Sequence, residues 1–196
     1  MITSTKEGFM ELLDLYDEDR NKLEKTYLRG SGDLLNDNEF ILGVDVWIKN
    51  DKNKILLTQR HHLKRTFPLK WECTSGMVGT GEDSITAALR EAEEEIGIKL
   101  QKHDGKLLTT ITFMNYLKKN YNMILDVFLF EKNIDLNHTN LQEGEVINIK
   151  WVDKCELIEM FKNKEMVEPM NYILELLKDG LIENIFVLIK NKGAFL

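Results

Sequence analysis

Cysteine is scarce in this chain. Cys73 and Cys155 are the only two, too few for the disulfide framework of a small secreted domain, and the expected setting is the reducing cytoplasm. Long apolar runs are missing as well: none approaches the roughly 18 residues that a membrane-spanning helix needs. The opening residues Met1-Ile-Thr-Ser-Thr-Lys-Glu7 hold no signal-peptide core, so no membrane partner is expected. Nor is there an excess of positive charge. Lys and Arg number 26 against 33 Asp and Glu, a formal net charge of −7, which argues against a general nucleic-acid binder. Several familiar motifs are absent too. Gly76, Gly79 and Gly81 precede a helical stretch, but no Gly-Lys-Ser/Thr ending makes them a P-loop, and their order is wrong for a dinucleotide fingerprint. His61-His62 belongs to no HExxH zinc motif. Asn137-His-Thr139 fits a glycosylation acceptor, which carries no weight in a cytoplasmic chain. Repeats, low-complexity tracts and an evident interdomain linker are likewise lacking.

What is present is an ordinary globular mixture, 43% hydrophobic and 30% charged over 196 residues, the size of one domain with extensions. Residues 9–16 and 22–28 flank the polar Asp17-Glu-Asp-Arg-Asn21 and predict a hairpin. Phe40, Leu42, Val44, Val46 and Ile48 alternate through a strand over 39–49. After a turn at 50–53, a second strand runs from Lys54 to Arg60, a basic loop from His61 to Leu69, and a short strand from Lys70 to Thr74. A helix starts near Asp83 or Ser84, carries the apolar stripe Ile85, Ala88, Leu89, Ala92 and Ile96, and stops at Gly97. Strands over 106–117 and 121–131 follow, joined by Lys118-Lys-Asn120. A polar loop covers 133–145, a strand 147–152, and helices lie near 154–163 and 167–179, the last ended by Gly180. The apolar tail from Leu181 to Ile189 is suited to docking, and with the added hairpin it is compatible with a homodimer. The pattern predicts an α+β or mixed α/β class.

The chemistry concentrates in the helix. Glu91, Glu94 and Glu95 stand at i, i+3 and i+4 and share one face. Like charges at that spacing repel, so they add no stability unless a cation lies between them. A carboxylate-only set suits Mg²⁺ or Mn²⁺ better than zinc. The alternative is a solvated glutamate-rich face, which spacing alone leaves open. An acidic protein that handles a polyphosphate needs metal ions to offset the repulsion, consistent with the first reading. Glu93 points elsewhere. Arg60, His61, His62, Lys64 and Arg65 form a local positive cluster, either a phosphate contact or a plain basic loop. Trp47, Trp71 and Trp151 are core candidates, of which one could face a substrate.

The stretch 76–98 resembles the signature box of the Nudix hydrolases at each fixed position: Gly76, Glu82, Arg90-Glu91, Ala92, Glu94-Glu95, Gly97 and Ile98, with Ala92 a small choice for its aliphatic slot. Phe67-Pro68 and Trp71-Glu72 before the box, and Glu143-Gly-Glu145 and Trp151-Val152 after it, are similar to the family's flanks. The resemblance extends over about residues 38–165. It implies a Nudix-type α/β/α sandwich with a mixed sheet over 38–196, the first 37 residues being an extra hairpin packed on the same domain. It also implies an enzyme using Mg²⁺ or Mn²⁺ to cleave a small-molecule diphosphate. By the same analogy Glu91, Glu94, Glu95 and the Ser75 carbonyl are metal ligands. Glu91 or Glu94 is the base, Glu82 and Arg90 complete the catalytic set mainly as a brace of loop and helix, and Arg60 and Gly76 meet the substrate. Glu143 or Glu145 supplies a further carboxylate.

The hairpin together with the box also resembles the isopentenyl-diphosphate isomerase-like branch, which uses the same metal box to move a double bond. That branch carries a catalytic cysteine just before the first glycine. Ser75 stands there in this chain, with Cys73 two residues earlier, and a serine hydroxyl is too weak an acid to replace a thiol. Hydrolysis is therefore the expected reaction, with isomerisation and a non-catalytic nucleotide sensor as the alternatives.

Overall fold

A computed structural model describes residues 11–116 and 122–178. Its centre is β3 (Phe40–Lys49), which pairs in parallel along its full length with β8 (Asn122–Glu131). The sequence alternation in β3 predicts one buried face, yet every residue of it is buried. The reason is that both faces of the sheet are covered. Leu42, Val44, Val46 and Ile48 meet the box helix α1 (Ser84–Ile96), while Ile41 and Trp47 lie in the layer under α2 (Lys154–Lys162) and α3 (Tyr172–Lys178). A mixed sheet between helical layers results, the sandwich that the family resemblance implies.

The other edge of β3 is shared by three partners. β1 (Glu11–Tyr16) meets its start, β6 (Thr74–Met77) its middle and β4 (Ile55–Arg60) its end, all antiparallel. β1 also pairs with β2 (Lys22–Arg29), the expected hairpin. β4 pairs with β5 (Trp71–Glu72) and β9 (Val146–Val152), and β7 (Gly105–Phe113) with β8. The single strand expected over 70–74 is thus two short ones with different neighbours. β7 ends at Phe113, short of the predicted 117. The last predicted helix opens as a 3₁₀ turn, Glu168–Asn171, with Pro169 in its first turn. The 118–120 turn, Gly180 and the apolar tail lie outside the described residues. No helix among the described residues is long and apolar enough to cross a membrane.

α1 forms where the sequence places its signals. The Asp83 side chain accepts from the Thr86 N–H at 2.8 Å and caps the first turn. Gly97 takes a left-handed φ of 72°, its N–H bonding the Glu93 carbonyl at 3.0 Å while the Ile98 N–H bonds Ala92 at 3.2 Å. Ala87, Ala88 and Ala92 are buried against the sheet. Small side chains there let the helix sit close to β3 and β6, and this accounts for alanine in the box's aliphatic slot. Ile85 and Leu89 are only half-buried, whereas Glu95 is buried with the alanines.

Candidate active site

The close approach of α1 to β6 brings carboxylates against backbone. A Cβ added to Gly76 would fall 2.0 Å from Cδ of Glu91, so only glycine fits where the Glu91 side chain crosses the strand. Glu91 is mostly covered, with 12% of its side chain exposed. Burial lifts its carboxyl to about 7, against the pull of Arg90 and with help from the charges of Glu11 and Glu94. Glu95 goes deeper still. Its Oε2 is buried without a hydrogen-bond partner, and burial, reinforced by Glu72, Glu91 and Glu145, pushes its carboxyl well up. Glu94 is the exposed member, at 45%. Glu93 lies outside the group and pairs with Lys99 at the surface.

Arg90 organises this face. Its Nε and Nη2 hold the two carboxylate oxygens of Glu82 at 3.1 and 3.0 Å, and Nη2 also donates to the Met77 carbonyl at 2.9 Å. That ties the turn after β6 to the helix. Nη1 then reaches Glu91 Oε1 at 2.8 Å and Glu94 Oε2 at 3.1 Å. One guanidinium thus orients three glutamates. Among the described residues no three acidic, His or Cys side chains converge as a ready coordination group.

A second acidic arm faces the first. Glu72 on β5 is buried and takes both its oxygens to Arg60 Nη1, at 2.7 and 2.9 Å. Burial raises the Glu72 carboxyl although Arg60 opposes it. The remaining Arg60 donors go to Thr66, Nε to its carbonyl at 2.9 Å and Nη2 to its hydroxyl at 3.3 Å. The residue expected at the substrate is therefore engaged in holding Glu72 and the basic loop. Lys64 pairs with Glu145, and the His61 N–H donates to the Glu145 carbonyl at 2.8 Å. Glu145 stands near enough to Glu72 and Glu95 to raise both carboxyls. Glu143, its partner in the sequence reading, is exposed on the same loop. Glu72 is the group that sequence reasoning missed. Its signal was a charged residue within a strand otherwise headed for the core.

Ser75 is half-buried on β6, opposite Asp45 of β3. Asp45 is buried on the face away from α1, where Tyr172 of α3 donates its hydroxyl to it and receives the Trp47 indole N–H at 3.0 Å. Burial carries the Asp45 carboxyl to about 7 even against that hydrogen bond. Cys73 belongs to this layer, fully buried, and its thiol is pushed well up by burial and by the neighbouring Asp45. Trp71 is half-buried beneath the Lys150 ammonium, 4.7 Å from the ring centre, and Trp151 donates to the Ile134 carbonyl at 3.3 Å.

A family model for the NUDIX domain matches residues 39–177, well over half of the chain. The chain belongs to the NUDIX domain family. Among curated relatives, an uncharacterized Nudix hydrolase of Listeria monocytogenes is 30% identical over 159 residues, covering 81% of this chain and 89% of that protein. Solved structures share the fold. A Deinococcus radiodurans protein superposes with a TM-score of 0.63 at 19% identity, over 80% of this chain and 92% of its own. A MutT protein of Methanosarcina mazei gives 0.58 at 24% identity, over 74% and 96%. The chain is thus an enzyme of the Nudix hydrolase kind. Its box helix is α1, and Gly76 of β6, Arg90 and the three glutamates are the box residues whose packing is described above. The residues fit a divalent cation. The donors are hard carboxylate oxygens, one of them is buried and unsatisfied at Glu95, and Gly76 leaves room for Glu91 beside the strand.

Proposed function

We propose that this Nudix enzyme is a Mg²⁺-dependent pyrophosphohydrolase that cleaves the pyrophosphate link of a nucleoside diphosphate joined to another moiety. The observation that carries this is the unsatisfied, buried carboxylate of Glu95 beside Glu91. A fold gains nothing from such a group by itself, since a buried carboxyl without a partner either bears a cost on the order of several kcal/mol as an ion or takes up a proton to escape it. Glu91, Glu94 and Glu95, with the Ser75 carbonyl, would hold Mg²⁺ or Mn²⁺, whose contribution when bound is to neutralise diphosphate charge and acidify a water.

The protein's own groups then have distinct tasks. Glu91, held by Arg90 Nη1 at 2.8 Å, is the carboxylate we assign to take a proton from the attacking water. Arg90 keeps Glu91 and Glu94 turned toward one another. Lys64, paired with Glu145, is the cation we assign to a phosphate oxygen. Water adds to one phosphorus, the P–O bond of the anhydride breaks, and two phosphate products leave with release of a proton.

Isomerisation draws no support from the thiol. Cys73 is sealed in the layer under α2 and α3, and its raised pKa keeps it protonated. A non-catalytic sensor has no use for a costly carboxylate group. The test is phosphate release from a panel of nucleoside diphosphate derivatives with Mg²⁺, run beside isopentenyl diphosphate. Cleavage of at least one nucleotide is expected. Conversion of isopentenyl diphosphate with no nucleotide cleaved would overturn the reading.

A further inference from the structure

The hairpin β1–β2 precedes the family match, which begins at residue 39, yet beside its pairing with β3 it holds one turn of the active site. That turn, residues 79–82, carries the chain from β6 into α1. Leu13 bridges Gly79. The Leu12 carbonyl accepts from both the Thr80 N–H at 3.0 Å and the Thr80 hydroxyl at 2.9 Å. The Gly81 N–H donates to Asp14 Oδ2 at 2.7 Å. Asp14 is itself buried within β1 and backed by Lys22 of β2 at 2.6 Å. A second brace comes from the hairpin's own turn. Arg20 pairs with the fully buried Asp126 on β8 and reaches the hydroxyl of Ser84, the first residue of α1, at 3.5 Å.

The turn so held is where Glu82 sits. Within it the Gly79 N–H donates to Glu82 Oε2 at 3.1 Å, and Glu82 takes the two Arg90 contacts already described. The hairpin's hydrogen bonds from Asp14 and Leu12 hold Thr80 and Gly81; the backbone of the turn carries that hold to Glu82, and hydrogen bonds continue from Glu82 to Arg90 and the carboxylates Glu91 and Glu94. We propose that the N-terminal hairpin is the positioning element of the active site, with Asp14 its principal positioning residue: it fixes the 79–82 turn and so the orientation of Arg90 and the glutamates that it aims. The inference rests on the hydrolase reading above. The physical basis is the steep cost of misplacement, since a shift of about 1 Å far from the reacting atoms can lower turnover about a hundredfold.

The experiment compares the full-length parent with Asp14→Ala, Asp14→Asn and Thr80→Val. It measures kcat and KM on a cleaved nucleotide, the Mg²⁺ half-saturation of the metal-induced rise in melting temperature, and amide exchange at Gly81 and Glu82 without metal. Asp14→Ala removes the acceptor for Gly81. It is expected to lower kcat at least about tenfold with KM within about twofold, to raise the Mg²⁺ half-saturation, and to speed exchange at both amides. Asp14→Asn keeps an acceptor oxygen and should recover kcat to within about threefold of the parent. Thr80→Val loses only the exposed hydroxyl contact, so it folds even if Asp14→Ala does not, and should show the same changes at smaller size. A lower melting temperature in Asp14→Ala with kcat and Mg²⁺ half-saturation unchanged overturns the proposal, as does a Thr80→Val variant identical to the parent where Asp14→Ala cannot be made. A parent that neither turns over nor shifts with Mg²⁺ would instead count against the hydrolase reading.

Discussion

Two buried carboxylates show how differently one fold can treat the same group. Asp126 on β8 is fully buried, and Arg20 and Thr110 answer its oxygens. Those partners overcome the effect of burial and hold its carboxyl below the usual range. Glu95 on α1 is buried nearly as well, at 8% exposure. Its Oε2 has no partner, and burial pushes its carboxyl the other way. The chain therefore can neutralise a buried acid, with an arginine brought from a distant hairpin, and at the box helix it leaves one unanswered. An acid with its arginine is part of the scaffold. An acid held without one is what the proposed cation site calls for.

The largest expected effect breaks the comparison on its functional side. Glu94→Gln removes one charge from the exposed end of the group. It should lower turnover by roughly a thousandfold, the scale of losing several kcal/mol of transition-state stabilisation. The melting temperature should scarcely change, because Glu94 is half-exposed and only one of three acids on Arg90. Steady-state kinetics beside a thermal melt measures both. Equal turnover in variant and parent would remove Glu94 from the metal set.

The next sharpens the structural side. Asp126→Ala leaves Arg20 and Thr110 without their acceptor and should destabilise the fold by about 3 kcal/mol, the low end for breaking a buried pair because Arg20 keeps some access to solvent. Glu95→Gln has the opposite expectation. It replaces a buried carboxyl whose Oε2 has no partner, so the metal-free protein should be as stable as the parent or more so, while the response to Mg²⁺ is lost. Urea unfolding of the two variants without metal decides the matter. A large loss of stability in Glu95→Gln would show that this carboxylate serves the scaffold after all.

The same contrast explains what could be read from the sequence. The box helix was legible to its ends because its signals are local: Asp83 before it, Gly97 after it, and apolar residues in helical spacing between. The glutamate face was legible because three acids at i, i+3 and i+4 need no partner from elsewhere to be noticed. Glu72 and the Asp126–Arg20 pair were not, since each depends on strands distant in sequence becoming neighbours. Arg60 reads from its position as a cation at a strand end, and only the pairing of β4 with β5 shows that Glu72 takes it. The full burial of β3 was hidden for a similar reason. Alternation along a strand reports one apolar face, and whether the other is covered depends on where α2 and α3 dock. The break between β5 and β6 at Cys73 likewise follows from which strand each piece finds.

A pH titration of stability carries the comparison further at smaller size. Asp126 has a lowered folded pKa, so it binds fewer protons folded than unfolded in acid. Its stabilisation is present above the ordinary carboxylate range and is lost as pH falls through the folded value. Asp45, lifted to about 7, does the reverse. Between about pH 4 and 7 the folded state holds a proton that the unfolded state has released, so stability falls as pH rises, by at most about 1.4 kcal/mol per pH unit for one group. Glu91, also at about 7, adds to that limb in the metal-free protein. Asp45→Asn keeps an acceptor for the Tyr172 hydroxyl and should flatten the neutral limb, whereas Asp126→Asn should flatten the acid one. Chemical unfolding at several pH values with chelator present reads the slopes. A neutral limb unchanged in Asp45→Asn would assign it to the other raised carboxyls, Glu72 and the box glutamates Glu91 and Glu95.

The smallest effect concerns the cation itself. Mg²⁺ that binds only the folded site stabilises by the logarithm of its saturation, about 1.4 kcal/mol at ten times the dissociation constant. That corresponds to a rise of roughly 3–6 °C in melting temperature for a chain of this size. The rise should be greater at pH 8 than at pH 6, because Glu91 must give up its proton to bind and its carboxyl lies at about 7. The pH dependence distinguishes this site from weak surface binding, where carboxylates are ionised throughout that range. Glu95→Gln should abolish the rise at both pH values, and Asp126→Asn should retain it from a lower starting temperature. A shift of equal size at pH 6 and 8, or one that survives Glu95→Gln, would place the cation somewhere other than the face that Arg90 organises.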